Sequence, residues 1–250
     1  MSGFEDPAFF GDRYADEYDD HNELDPTAAV AFLADLVPTG ARVLELATGT
    51  GRVAIPLAAL GVTVEGIEGS TAMVRRMRAK PGGAAIRTVV GDMADLAGLD
   101  GPYDLAYLVY NTLFNLTSQE RQLDCFRNVA RVLAPGGRFV VECFVPDVTV
   151  FDHGQRVLTR ALTEDSVSMA YELHDPVAQT VTFQRVTIDA GGTRLSPLLL
   201  RYCWPSELDL MARLTGLRLV DRYDGWDRRT FTAASRKHVS VYEKERPGTP

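Results

Sequence analysis

The hydrophobic and polar positions along the chain alternate between two spacings. Short apolar runs, typical of buried strands, are followed by segments whose apolar residues recur every three or four positions, as on one face of a helix. The predicted strands are 42–46, 63–67, 85–89, 105–109 and 138–144, and the predicted helices are 28–36, 71–80, 119–133 and a segment that ends at 60. Regular alternation of strand and helix predicts a parallel sheet with helices on both faces.

This pattern changes at about residue 149. Segments 167–173, 180–186 and 198–202 alternate apolar and polar residues, and they are separated by turn residues at Asp175-Pro176 and Gly191-Gly192. They predict an antiparallel insertion. A helix over 206–214, with Ser206 as its N-cap, and a strand pair over 218–224 and 238–242 complete a sheet of seven strands.

We expect one α/β domain spanning residues 1–250, since a chain of this length can bury a single large core. Its predicted parts are an N-terminal segment (1–27), a core (28–148), the antiparallel insertion (149–205) and the closing helix and strand pair (206–245).

Charge and composition narrow the function classes. The formal charge of −8 disfavours a phosphate-rich partner, so no nucleic acid is expected. Crossing a membrane takes about 20 apolar residues in a row, which we do not find, and the first residues lack a basic segment followed by an apolar one. We therefore expect a cytoplasmic protein.

Its three widely spaced cysteines indicate reduced core thiols, and we expect no metal site.

A glycine-bearing loop follows the first strand. Gly49 and Gly51 allow a ligand to approach the backbone at a helix N-terminus. With Ala54 they also satisfy a permissive dinucleotide fingerprint, so an NAD(P)-dependent oxidoreductase is an alternative. Glu45, however, lies four residues before Gly49, where its carboxylate would repel a pyrophosphate and attract an ammonium group. The loop therefore favours a cationic amino-acid ligand.

Two further strands end in acidic residues. Glu68 closes the second strand, where its carboxylate can accept hydrogen bonds from two ribose hydroxyls. Asp92 and Met93 follow the third strand, where they can meet the amino group and ring of an adenine.

Together, segments 43–51, 91–93 and 133–141 and the residue Glu68 resemble the class I S-adenosylmethionine-dependent methyltransferases in sequence and order. The resemblance implies a three-layer Rossmann-like fold and S-adenosyl-L-methionine as cofactor. It implies that the methionine part of the cofactor lies against the glycine loop, that the ribose binds a carboxylate and that the adenine lies at the third strand. The residues concerned are Glu45, Ala47, Gly49, Gly51, Glu68, Asp92 and Met93.

The N-terminal segment carries Tyr14 and Tyr18 four positions apart, so a helix would place both on one face. In small-molecule methyltransferases, segments that resemble this one form a lid over the cofactor. The resemblance implies that Tyr14 contacts the cofactor carboxylate and that Tyr18 lies near the transferring methyl group. His21 is a candidate base if the lid folds inward. The alternative is that both tyrosines simply pack on the core.

The fourth strand ends at Tyr110 and Asn111, in the crevice where open sheets bind ligands. We therefore predict that Tyr110 contacts the cofactor and that Asn111 takes part in catalysis. Amino methyltransferases of nucleic acids usually carry an Asn or Asp, two prolines and an aromatic residue here, whereas this chain has Asn-Thr-Leu-Phe. This difference argues against a base-flipping enzyme.

The lid tyrosines and the antiparallel insertion resemble those of actinobacterial small-molecule enzymes, including the linaridin peptide α-N-methyltransferases and the amino-sugar N,N-dimethyltransferases. Segments 111–114, 210–217 and 231–236 in particular resemble the peptide N-terminal methyltransferases. This resemblance implies methylation of a small molecule or short peptide in natural-product metabolism. We favour nitrogen as the acceptor because an amine needs no strong protein base, whereas a hydroxyl does. An O-methyltransferase is the main alternative, and a non-catalytic protein that retains the fold is a further one. Substrate, number of transfers and oligomeric state stay open, with a homodimer as one option.

Overall fold

The computed structural model describes residues 3–15, 18–21 and 25–246. Its helices are α1 (Phe9–Tyr14), α2 (Tyr18–His21), α3 (Thr27–Ala34), α4 (Ala54–Ala59), α5 (Thr71–Ala79), α6 (Gln119–Val132) and α7 (Pro205–Leu214). Its strands are β1 (Arg42–Leu46), β2 (Thr63–Glu68), β3 (Arg87–Val90), β4 (Tyr103–Leu108), β5 (Leu133–Phe144), β6 (Gln155–Leu162), β7 (Val167–Asp175), β8 (Thr180–Asp189), β9 (Gly192–Arg201), β10 (Leu217–Tyr223) and β11 (Lys237–Lys244). None of these helices is long and apolar enough to cross a membrane.

The larger of the two sheets has the seven strands that the sequence predicts. Their order is β10-β11-β5-β4-β1-β2-β3, and the neighbours from β5 to β3 run parallel. Strand β11 runs antiparallel between β5 and β10. This mostly parallel arrangement brings the carboxyl ends of β1 to β5 to one edge of the sheet. Several of the predicted site residues, among them Glu68, Asp92 and Tyr110, lie along that edge.

Helices cover both faces of this sheet and bury two apolar layers. On one face, α6 contributes Cys125, Phe126 and Val129, whose spacing forms one helix face. On the other, Phe32 and Leu33 of α3 pack with the loop and helix after β1. The three cysteines, Cys125, Cys143 and Cys203, are buried free thiols, as the sequence predicts.

The insertion is an antiparallel sheet of four strands in the order β6-β7-β8-β9. The sequence pattern missed β6, an exposed edge strand whose polar residues hide its alternation. One face of this sheet carries Ala170 and Val181, both less than 10% exposed, and Val181 packs on the core. The opposite face exposes Val157, Tyr171 and Leu173.

Several predicted boundaries were wrong. Strand β9 begins at Gly192 rather than at the predicted residue 198. Helix α7 begins at Pro205, with Trp204 rather than Ser206 at the N-cap position, because proline is well suited to the first helical turn. Strand β5 extends back from the predicted residue 138 to Leu133.

Candidate active site

The loop between β1 and α4 turns back sharply on itself. Ala47, Gly49 and Gly51 all have left-handed backbone conformations, with φ of 53°, 57° and 76°. A Cβ at Gly51 would lie 2.6 Å from Cγ of Met77, so a larger residue would push α5 away. The loop therefore lies tightly against α5 while its backbone stays open to a ligand.

A cavity of about 520 Å³ lies at the carboxyl edge of the sheet, next to this loop. The ends of β2 and β3 line one side, and the N-terminal segment with β9 lines the other. The residues that matter below are Glu68, Asp92, Met93, Phe10, Tyr18, Arg121, Leu198 and Leu199.

Glu68 occupies the predicted position at the end of β2. Its Oε2 accepts a hydrogen bond from the Gly49 amide at 2.8 Å, and its Oε1 accepts one from the Ser70 amide at 2.9 Å. Burial raises the pKa of this carboxyl, while the backbone amides oppose the shift. The carboxylate is thus fixed at the cavity wall and retains lone pairs for further donors.

Asp92 and Met93 also line the larger cavity. Oδ1 of Asp92 accepts a hydrogen bond from the Ala94 amide at 2.7 Å, and Oδ2 forms an ion pair with Arg121. The sequence did not point to Arg121, because nothing local distinguishes it from a solvated residue on α6.

A smaller cavity of about 30 Å³ adjoins the first, and Glu45, Ala47, Gly49, Arg52 and Tyr110 are among its lining residues. Only 3% of Glu45 is exposed. Its Oε2 has no hydrogen-bond partner among the described residues. Burial raises its pKa to about 8, although the nearby Arg52 guanidinium favours the charged form. A buried carboxyl of this kind is suited to a cationic ligand.

Arg52 contacts two other residues that line the smaller cavity, and no sequence motif pointed to it. Its guanidinium hydrogen-bonds the Tyr18 phenol and lies 5.6 Å from the centre of the Tyr110 ring. The available signal was a basic residue directly after Gly51, at the opening of the helix.

Tyr18 lines both cavities. Burial raises the pKa of its phenol above 10, so the hydroxyl stays protonated at neutral pH. The structure thus brings Tyr18, Tyr110 and Glu45 together around Arg52.

Other predicted residues lie elsewhere. The Tyr14 hydroxyl donates to the Pro197 carbonyl at 2.9 Å, and Tyr14 is not among the residues that line either cavity. Oδ1 of Asn111 accepts a hydrogen bond from the Phe144 amide at 2.5 Å, so its amide group ties β5 to the turn after β4. Roles for these two side chains on cofactor or substrate stay predictions. His21 ends α2, and its side chain lies outside the described residues.

Besides the contact of Tyr14 with Pro197, side-chain hydrogen bonds fasten the N-terminal segment to the glycine loop and to α5. Asp19 accepts a hydrogen bond from Oγ1 of Thr50 at 2.7 Å and pairs with Nζ of Lys80 at 2.9 Å. Oγ of Ser70 donates to Asp12 at 2.5 Å. These contacts join α1 and α2 to the glycine loop and to α5.

Comparison with known proteins identifies related chains. A family model described as a methyltransferase domain matches residues 43–137. The CcbJ methyltransferase from Streptomyces caelestis is 41% identical, with a TM-score of 0.88 over 96% of this chain and 99% of that one. Cypemycin N-terminal methyltransferase from Streptomyces sp is 28% identical over 246 residues, which cover 96% of this chain and 99% of the relative. An amino pentose methyltransferase from Micromonospora echinaspora shares the fold, at 22% identity and a TM-score of 0.70 over 93% and 96% of the two chains.

Proposed function

Because the chain belongs to the S-adenosylmethionine-dependent methyltransferases, we propose that it methylates an amine nitrogen of a small molecule or short peptide in natural-product metabolism. The observation that carries this proposal is the position of Tyr18, which lines both cavities with a protonated phenol.

The side chains around the two cavities fit the cofactor. Glu45 and Arg52 give the smaller cavity one acidic and one basic group, which match the ammonium and carboxylate of a methionine. In the larger cavity, Glu68 offers acceptors for ribose hydroxyls, and Asp92 with Met93 offers an acceptor and a polarisable surface for adenine. When bound, S-adenosylmethionine supplies an electrophilic methyl group.

Tyr18 lines the boundary between these two regions, so we place the transfer site beside it. A protonated phenol is a poor base but a good hydrogen-bonding group for orienting an acceptor. Among the described residues that line the cavities there is no histidine. A neutral amine has its own lone pair and needs mainly alignment, which favours nitrogen over oxygen.

The amine assignment also has support from a relative. By its name, cypemycin N-terminal methyltransferase acts at an N-terminus, and it aligns with nearly the whole chain. We therefore include a peptide N-terminus among the acceptors to be tested.

The proposal also covers location and partners. The net charge of −8 supports an enzyme that binds no nucleic acid, and we place it in the cytoplasm. The apolar outer face of the antiparallel sheet, with Val157, Tyr171 and Leu173, supports a homodimer. Multi-angle light scattering checks this part of the proposal, which a monomer at micromolar concentration would contradict.

A direct test uses S-adenosylmethionine with a ¹³C-labelled methyl group and a panel of paired acceptors. Each pair consists of a primary amine, as an amino sugar or a short peptide, and the same compound with the nitrogen acetylated. We expect mass spectrometry to detect label only in compounds with a free amine. Label in the acetylated partner would show that transfer does not need the free amine and would overturn the assignment of that nitrogen as acceptor.

A further inference from the structure

Glu142, near the end of β5, joins two segments, one of which lines the smaller cavity. Its Oε2 accepts a hydrogen bond from the Tyr110 amide at 2.8 Å. Its Oε1 accepts one from Nε1 of Trp226, in the loop between β10 and β11, also at 2.8 Å. Both carboxylate oxygens are therefore engaged by N–H donors, so this side chain has a structural task beside the site.

The turn that Glu142 holds has an unfavourable backbone. Tyr110 and Asn111 are consecutive non-glycine residues in the left-handed region, with φ of 58° and 62°. Such residues persist only where surrounding contacts fix them, and they cluster at functional sites. Here the Asn111 amide also donates to the Glu142 carbonyl at 3.1 Å, and Asn111 Oδ1 accepts from the Phe144 amide. The end of β5 therefore holds the turn in place.

This turn determines where the Tyr110 ring lies. The ring stands 5.6 Å from the Arg52 guanidinium, which in turn contacts the Tyr18 phenol. An aromatic face attracts a guanidinium and restricts its orientation. Moving the Tyr110 backbone would therefore change the surroundings of Arg52 in the smaller cavity.

We propose that Glu142 is a positioning residue for the methionine end of the cofactor. It fixes the Tyr110 turn so that the ring keeps Arg52 directed into the smaller cavity. The inference rests on the proposed placement of the methionine carboxylate and ammonium beside Arg52 and Glu45. It concerns cofactor binding alone, so it can be tested before any methyl acceptor is known.

The test compares two ligands by calorimetry. S-adenosylhomocysteine carries the methionine-derived end, whereas 5′-methylthioadenosine has the same nucleoside but neither carboxylate nor ammonium. In Glu142→Gln the side-chain NH2 must face one of the two N–H donors, so the turn should shift. We expect the Kd of S-adenosylhomocysteine to rise about tenfold, because a small displacement of a binding group can weaken its contact strongly. The Kd of 5′-methylthioadenosine should change less than about twofold.

A second variant separates positioning from general damage to the fold. In the double variant Glu142→Gln/Trp226→Phe the indole donor is gone, so the glutamine oxygen can face the Tyr110 amide without repulsion. We expect this variant to regain S-adenosylhomocysteine affinity to within about threefold of wild type. Glu243→Gln on β11, whose carboxylate pairs with Arg218 away from the cavities, is the matched carboxylate-to-amide control.

The outcomes are distinguishable. Unchanged affinity of Glu142→Gln for S-adenosylhomocysteine would overturn the inference, as would equal weakening of both ligands or a double variant without recovery. If wild type binds 5′-methylthioadenosine as tightly as S-adenosylhomocysteine, the smaller cavity does not receive the methionine end, and the underlying placement fails instead.

Discussion

Replacing Glu68 by glutamine should weaken binding of the nucleoside part of the cofactor. In the structure its two oxygens accept hydrogen bonds from the Gly49 and Ser70 amides at 2.8 and 2.9 Å. A glutamine of the same size can turn its oxygen to only one of these amides. It also lacks the negative charge that makes the carboxylate a strong acceptor for ribose hydroxyls.

The size of the effect follows from the number of hydrogen bonds lost. A hydrogen bond to a charged group contributes about 1.5–3 kcal/mol. Because the glutamine oxygen can still accept one hydrogen bond, we expect the loss of one hydrogen bond between this side chain and the ribose. This corresponds to a rise of roughly 10- to 150-fold in Kd. Unlike Glu142→Gln, the change should affect S-adenosylhomocysteine and 5′-methylthioadenosine equally, since both carry the ribose.

Calorimetric titration with both ligands measures this prediction, and Glu65→Gln is the matched control. Glu65 lies on the same strand, β2, but pairs with Arg42 at 2.6 Å and with Arg87, away from the cavity. Its replacement should leave both Kd values unchanged. If a folded Glu68→Gln variant binds both ligands within twofold of wild type, Glu68 does not hold the ribose.

Three further predictions concern the lid, the transfer site and acid stability. In Gly11→Ala the new Cβ would lie 2.3 Å from Cβ of Ser70 and displace α1. S-adenosylhomocysteine should therefore dissociate faster in stopped-flow experiments. An unchanged dissociation rate would show that α1 does not retain the ligand. Tyr18→Phe should lower the single-turnover rate of methylation of the first identified acceptor about tenfold or more, while the Kd of the cofactor stays within about threefold of wild type. A wild-type rate would refute the transfer-site assignment. Burial lowers the pKa of His238 to about 3, so as the pH falls the unfolded chain takes up a proton before the folded protein does. The free energy of unfolding should therefore fall as the pH drops from about 6.5 towards 3, by up to about 1.4 kcal/mol per pH unit. Urea titrations at several pH values should show this slope, and His238→Gln should reduce it.

The parallel sheet and the glycine loop were predictable because their causes are local. Strands such as β1 are buried and therefore read as apolar runs, and the tight loop next to α5 requires glycine at Gly51. Glu68 and Asp92, which line the larger cavity, could be named as candidates because a carboxylate at or just after the end of a strand is conspicuous in the sequence.

The contacts of Glu142 could not be predicted, because its partners are far away in the chain. Glu142 bonds Tyr110, 32 positions earlier, and Trp226, 84 positions later, and no local spacing reveals such a bridge. Asn111 shows the opposite problem. Its type and place predict a role in catalysis, which stays a prediction, but no local pattern shows that its side chain also accepts a hydrogen bond from the Phe144 amide.

The attachment of the N-terminal segment to the insertion has a consequence for how this enzyme can evolve. The Tyr14 hydroxyl bonds the carbonyl oxygen of Pro197, and Nη2 of Arg13 bonds that of Leu195. Main-chain oxygens are present whatever side chain the residue carries. Substitutions at Leu198 and Leu199 on β9, which line the larger cavity, would therefore leave these attachment points in place. The lining of the larger cavity on β9 can thus change while the N-terminal segment keeps its attachment to this strand.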